Sequence, residues 1–185
     1  MGHSLHVQGG AFLLAGLGLL LLPLQWCMAM LLAAAVHELA HLAAVRCFGG
    51  QMVDLVITPF GARMTVLPMP PIPEACCALA GPLGSFAMLI FASVFSELAL
   101  CAAVQGLYNL LPVYPLDGGR IAQALLPEGV CKVLKFLTIS GISLVCVWLF
   151  WRTDRNPVWL LPVGILWWHG IQRKFPCKES KQAVQ

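Results

Sequence analysis

The stretch Leu31–Cys47, LLAAAVHELAHLAAVRC, decides the fold. Up to Arg46 at its end, it is apolar on every face of a helix except where His37, Glu38 and His41 spell H-E-x-x-H. A helix apolar all round is a buried helix or a membrane span. On an α-helix, positions i and i+4 share a face, so His37 and His41 can grip one metal ion together, and Glu38 lies one step round, beside the open coordination position. Zinc suits two imidazoles plus a carboxylate and keeps a fourth position for water. Bound zinc lowers the pKa of that water to about 7, and a nearby carboxylate can take its proton during attack on a carbonyl.

Composition supports the membrane reading. Of 185 residues, 59% are hydrophobic and only 10% charged, and the mean hydropathy is +0.84. Soluble domains run roughly 45–50% apolar and 25% charged. The expected class is an all-α integral membrane protein: a polytopic bundle of about six transmembrane helices with a small membrane-associated β-hairpin. The net charge of +3 is no nucleic-acid signal, because Lys and Arg cluster at segment ends and not on one face. Of eight cysteines, Cys27, Cys76, Cys77, Cys101, Cys131 and Cys146 lie in or beside apolar runs, and no C-x-x-C occurs. They read as small buried hydrophobes. The adjacent pair Cys76-Cys77 points apart on a helix, against a metal or redox role.

Outward from the motif, the apolar run reaches back to Ala11. One helix of that length, about 35 residues, would extend ~52 Å against ~30 Å of hydrocarbon. Pro23 and Gln25 offer the break. The expected spans are 10–23, 25–47, 74–94, 98–112, 132–151 and 157–171, inside a membrane domain of residues 1–173 with a basic tail over 174–185 and no regulatory domain after it. Met1–Gly10, with His3 and His6, reads as a disordered polar lead. Gly49-Gly50 stops the second helix. Over 51–67, alternation at Val53, Leu55 and Ile57 and the turn residues Pro59-Phe60-Gly61 signal a β-hairpin. It is either an interfacial loop or an edge strand for an extended substrate. Pro68–Pro73 reads as a stiff extended spacer or lid. In the third span, Ala80/Gly84 and Gly81/Ser85 are small-xxx-small pairs that admit a close neighbour, with the helix carrying Ala33, Ala34, Ala40 and Ala44 as the partner. Trp148, Trp151, Trp159, Trp167 and Trp168 sit toward span ends like an aromatic belt, and His169 reads as interfacial.

The fourth span breaks up as Asn109-Leu-Leu-Pro112-Val-Tyr-Pro115-Leu-Asp117-Gly118-Gly119-Arg120, where two prolines and two glycines rule out a regular helix. Irregular backbone at membrane depth is tolerated only inside protein or along a wet cavity. In the six-span model nine cationic residues fall on one side: Arg46, Arg63, Arg120, Lys132, Lys135, Arg173, Lys174, Lys178 and Lys181. Only Arg152 and Arg155 fall on the other, so both termini are expected in the cytoplasm. Spans two and four then both run inward, and Asp117 reaches the depth of the histidines. Leu-Asp-Gly-Gly is good turn chemistry by itself. An H-E-x-x-H short of one ligand favours Asp117 as the third. Asn109 is either a helix-end residue or a donor to a substrate carbonyl.

With these residues in view, the chain resembles the site-2 protease family of intramembrane zinc metalloproteases. His37-Glu38-Leu-Ala-His41 matches the family's H-E-x-x-H, and Asn109 to Gly118 matches its N-x-x-P-x-x-x-L-D-G. Ile57–Gly61 and Ala80–Leu83 look like the branch containing stage IV sporulation protein FB, which processes a precursor sigma factor. The resemblance implies one zinc held by His37, His41 and Asp117, water activated by Glu38, and substrate held by Asn109 with Pro112 and Pro115 of the same motif. It also implies a bacterial cell-membrane location. The implied partners are the lipid bilayer, a membrane-associated protein substrate cut near the cytoplasmic leaflet, and inhibitory membrane proteins. Members of that branch commonly carry a nucleotide-sensing domain after the last span, which this sequence does not show. An inactive relative that only binds and retains membrane clients is one alternative, against which all the motif positions are intact; a membrane metal-binding or transport protein is the rival class. Against it, the polar residues cluster at one depth, and no inverted repeat of broken helices is present.

Overall fold

The structure, a computed structural model, describes residues 4–7, 16–58, 61–153, 160, 163–164 and 167. They fall into two compact units that meet in sequence between Asn109 and Leu110. Three helical segments among the described residues are long and apolar enough to cross a membrane: Leu24–Cys47, Pro71–Phe91 and Glu128–Arg152.

The first unit is a three-helix bundle with a small sheet. Helix α1 spans Leu24–Cys47. The break expected at Pro23 is there: residues 16–21 are helical, and Pro23 then stands as the N-cap of α1. Its other end closes as expected on Gly49-Gly50. Gly49 takes φ +70°, the Gly49 N–H donates to the Arg46 carbonyl at 3.0 Å, and the Gly50 N–H donates to Val45 at 2.8 Å. Those two bonds satisfy carbonyls the last turn would leave bare, and the left-handed φ is one glycine takes without strain.

The hairpin over 51–67 is present as β2 (Met52–Thr58) antiparallel to β3 (Gly61–Val66), with an irregularity between Met52 and Asp54. The reading of residues 1–10 as a disordered lead needs correction. Ser4–Val7 forms β1, which pairs in parallel with β2 in the register Ser4↔Asp54 to Val7↔Ile57, so β2 is the central strand of three. Four residues give no periodicity strong enough to read, and their pairing is set by a strand about fifty positions away. His3 lies outside the described residues.

Helix α2 spans Pro71–Ala87 and runs on into a 3₁₀ turn, Met88–Phe91. It starts earlier than position 74, so Pro71-Ile72-Pro73 is its first turn and not an extended spacer. Proline fits there because the first helical N–H groups have no intrahelical acceptor. Helix α3, Ser96–Asn109, packs on α1 and α2. Ala29, Ala33, Leu98 and Ala102 form the buried core, with Ala33 and Ala102 fully enclosed. Alanines let the helix backbones approach closely, which is how packing operates where lipid removes the hydrophobic drive.

The second unit begins with an irregular loop, 110–116, followed by α4 (Asp117–Leu125) and α5 (Glu128–Arg152). Asp117-Gly118-Gly119-Arg120 is therefore the first turn of a helix, and the expectation of irregular backbone across it is corrected. The glycines serve packing. A Cβ on Gly118 would overlap the Leu110 carbonyl and come within 2.6 Å of the Leu111 oxygen, and one on Gly119 would press on Val113 and Tyr114. Helix α4 thus lies directly on the loop backbone. Of the span expected at 10–23 only residues 16–23 are described, and the span at 157–171 and the tail over 174–185 fall largely or wholly outside the described residues.

Candidate metal centre

Helix α1 places His37 and His41 one turn apart, both buried, with half-buried Glu38 beside them. Helix α2 supplies the surface they meet. The His41 Nδ1–H donates to the Cys77 carbonyl at 2.7 Å, and His37 Nδ1 pairs with Ser85 Oγ at 2.9 Å. Both bonds turn Nε2 inward, and the two Nε2 atoms face each other at 3.2 Å. A carbonyl only accepts, so His41 carries its proton on Nδ1 and presents a bare lone pair at Nε2.

This donor set fits zinc. Two nitrogens each about 2.0–2.1 Å from a tetrahedral zinc ion lie about 3.3 Å apart. Metal-bound histidines also give their other N–H to a partner that fixes the ring, and the carbonyl on His41 and the hydroxyl on His37 are such partners.

The small-xxx-small pairs expected in α2 meet the alanine face of α1. A Cβ on Gly84 would come 2.6 Å from the Cβ of Ala40. At Gly81 the approach is tighter: a Cβ there would overlap His41 Nε2 and lie 2.8 Å from His37 Nε2. Sequence reasoning marked Gly81 and Ser85 as helix-packing residues and missed that they touch the imidazoles. Cys77 was read as a buried hydrophobe, and its backbone carbonyl carries the contact. No residue pattern announces a backbone carbonyl. The serine had a readable signal, one turn after Gly81 on the face turned to the H-E-x-x-H helix.

Asn109, the last residue of α3, puts its Nδ2 3.4 Å from His37 Nε2. His37, His41 and Asn109 are thus brought together within the first unit. In the second unit, Asp117 is buried as the first residue of α4, with Arg120 Nη1 3.7 Å from its Oδ1. Half-buried Pro112 and Pro115 lie in the loop before it, around buried Val113.

Comparison with known proteins bears on this arrangement. Residues 69–149 match Peptidase family M50. A zinc metalloprotease of Methanocaldococcus jannaschii is 26% identical over 92% of this chain and 57% of its own length. Stage IV sporulation protein FB of Bacillus subtilis is 28% identical over 64% of this chain and 46% of its own. The chain thus spans about half the length of these curated relatives. Among solved structures, the site-2 protease from Methanocaldococcus jannaschii superposes with a TM-score of 0.58 at 20% identity, covering 96% of this chain and 94% of that one. Residues 69–149 thus match Peptidase family M50, and the chain shares its fold with a site-2 protease.

Proposed function

We propose that the protein is an intramembrane zinc metalloendopeptidase that hydrolyses a peptide bond of a membrane-associated protein near the cytoplasmic leaflet. The observation that carries this reading is the pair of facing Nε2 atoms 3.2 Å apart, with both Nδ1 atoms engaged on α2.

His37 and His41 offer Nε2 as ligands, and Asp117 is assigned as the third, adding the negative charge that a divalent cation balances. A carboxylate in a span otherwise costs roughly 2.5–3.5 kcal/mol on insertion scales. When bound, zinc supplies a Lewis acid and a water made nucleophilic at neutral pH. The Glu38 carboxylate takes the proton of the attacking water and delivers it to the leaving amide nitrogen, as general base and then general acid. Asn109, beside His37 in this structure, donates its Nδ2–H to the scissile carbonyl as negative charge develops there. Pro112 and Pro115 form part of the wall against which the substrate lies. The substrate binds extended, because a helix hides its amides in its own hydrogen bonds.

The six-span arrangement and cytoplasmic termini are kept as part of the proposal, in a multi-pass protein of a bacterial cell membrane. A precursor sigma factor is the narrower substrate reading, and it rests on the likeness to stage IV sporulation protein FB.

The test is the set of new protein N-termini in membranes of cells producing the chain. Glu38→Gln keeps the ligand set and removes the base. N-termini present with the wild type and absent with Glu38→Gln support the assignment. Identical sets in the two overturn it.

A further inference from the structure

The two histidines are held by partners of different kind, and the difference has a consequence. His41 Nδ1 meets a carbonyl, which fixes its proton on Nδ1 in every state. His37 Nδ1 meets a hydroxyl, which either accepts or donates. If Ser85 donates, the His37 proton sits on Nε2 and can close onto His41 Nε2, which suits a metal-free pair. If Ser85 accepts, the proton sits on Nδ1 and Nε2 is bare, as a ligand must be.

Ser85 is fully enclosed, so no water substitutes for it. Its setting is also tight, since a Cβ on Gly106 of α3 would come 3.1 Å from the Ser85 Cβ. A hydroxyl kept 2.9 Å from an imidazole nitrogen, in a pocket formed by two other helices, is placed to govern that ring. We infer that Ser85 is a positioning residue: its hydroxyl accepts from His37 Nδ1 and sets the tautomer in which His37 binds metal. This rests on the metal-site reading above.

The experiment is zinc affinity of the full chain in detergent micelles, by competition with a chromophoric chelator, for wild type, His37→Ala, Ser85→Ala and Ser85→Thr. Thermal unfolding of each metal-free protein runs alongside. Removing such an outer partner is expected to weaken zinc binding about 10–100-fold. Ser85→Ala therefore loses that much with only a modest fall in the metal-free unfolding midpoint, as for one lost hydrogen bond, and Ser85→Thr, which keeps the hydroxyl, recovers most of the affinity. Wild-type affinity in Ser85→Ala overturns the inference. So does a Ser85→Thr protein as weak as Ser85→Ala, which would assign the effect to packing. Should Ser85→Ala not fold, long-range ¹H–¹⁵N correlation on the zinc-loaded wild type decides. A proton on His37 Nδ1 supports the role, and an unprotonated Nδ1 overturns it. If wild type binds no zinc, or His37→Ala binds it equally well, the metal centre itself fails, which is a separable outcome.

Discussion

Replacing Gly81 by alanine tests the geometry of the metal centre through a residue that is not itself a ligand. The added methyl would overlap His41 Nε2 and stand 2.8 Å from His37 Nε2, directly against both ligand atoms. Ordinary carbon–nitrogen contact is about 3.5–4.0 Å, so α2 must retreat by about 1 Å or the rings must turn. Either response breaks the same contacts, because α2 also holds both rings by their Nδ1 atoms at 2.7 and 2.9 Å. A retreat of that size carries both bonds past the hydrogen-bonding limit. Overpacking costs typically 1–3 kcal/mol, and each lost hydrogen bond about 1 kcal/mol more. With both outer partners loosened, zinc affinity should fall at least about 100-fold. The control is Gly84→Ala, one turn along the same interface. Its Cβ would meet the Ala40 Cβ at 2.6 Å and no imidazole, so it strains the same helix pair without touching the ligands. Chelator competition and thermal unfolding on both variants separate the effects. Gly84→Ala should lower the unfolding midpoint at a smaller cost in zinc affinity, whereas Gly81→Ala, with its methyl set against both imidazoles, should lose both. Wild-type zinc affinity in Gly81→Ala would refute the reasoning.

Other consequences follow from the same geometry. Asn109→Ala, by loss of one donor to the developing oxyanion, should lower kcat about 10²–10³-fold with zinc content unchanged; metal analysis and turnover on one preparation check it. Asp117→Asn keeps the shape of the side chain and removes its charge, so zinc affinity and cleavage should fall together in chelator titrations. Gly118→Ala presses a methyl into the Leu110 carbonyl, and since backbone does not yield as a flexible side chain does, the unfolding midpoint should drop by an amount matching about 1–3 kcal/mol. A strong zinc chelator should stop cleavage, and added zinc should restore it, in a membrane-based assay.

The elements with long apolar runs were legible because their signal is dense. The H-E-x-x-H helix, its start after Pro23 and its stop at Gly49 are all where the residues put them. The hairpin was legible from alternation, and the packing of α2 on α1 from its small residues. What could not be read depends on partners remote in sequence. Strand β1 is four residues that exist as a strand only through β2. The prolines at 71 and 73 and the glycines at 118 and 119 carry breaker chemistry, yet each sits in the first turn of a helix, where its usual penalty is small or is repaid by close packing. Of the candidate site, the proposed ligands and the proposed base were visible as residue types. The groups holding the rings were not: one is a backbone carbonyl, and the other is a serine whose task becomes clear only beside His37.

X-ray absorption at the zinc K-edge, on the purified wild-type chain, tests the central claim most directly. The account requires one zinc per chain in a shell of nitrogen and oxygen at about 2.0–2.1 Å, carrying the outer scattering of two imidazoles, half of which is lost in His41→Ala. An absence of zinc, or a shell dominated by sulfur at about 2.3 Å from some of the eight cysteines, would contradict it.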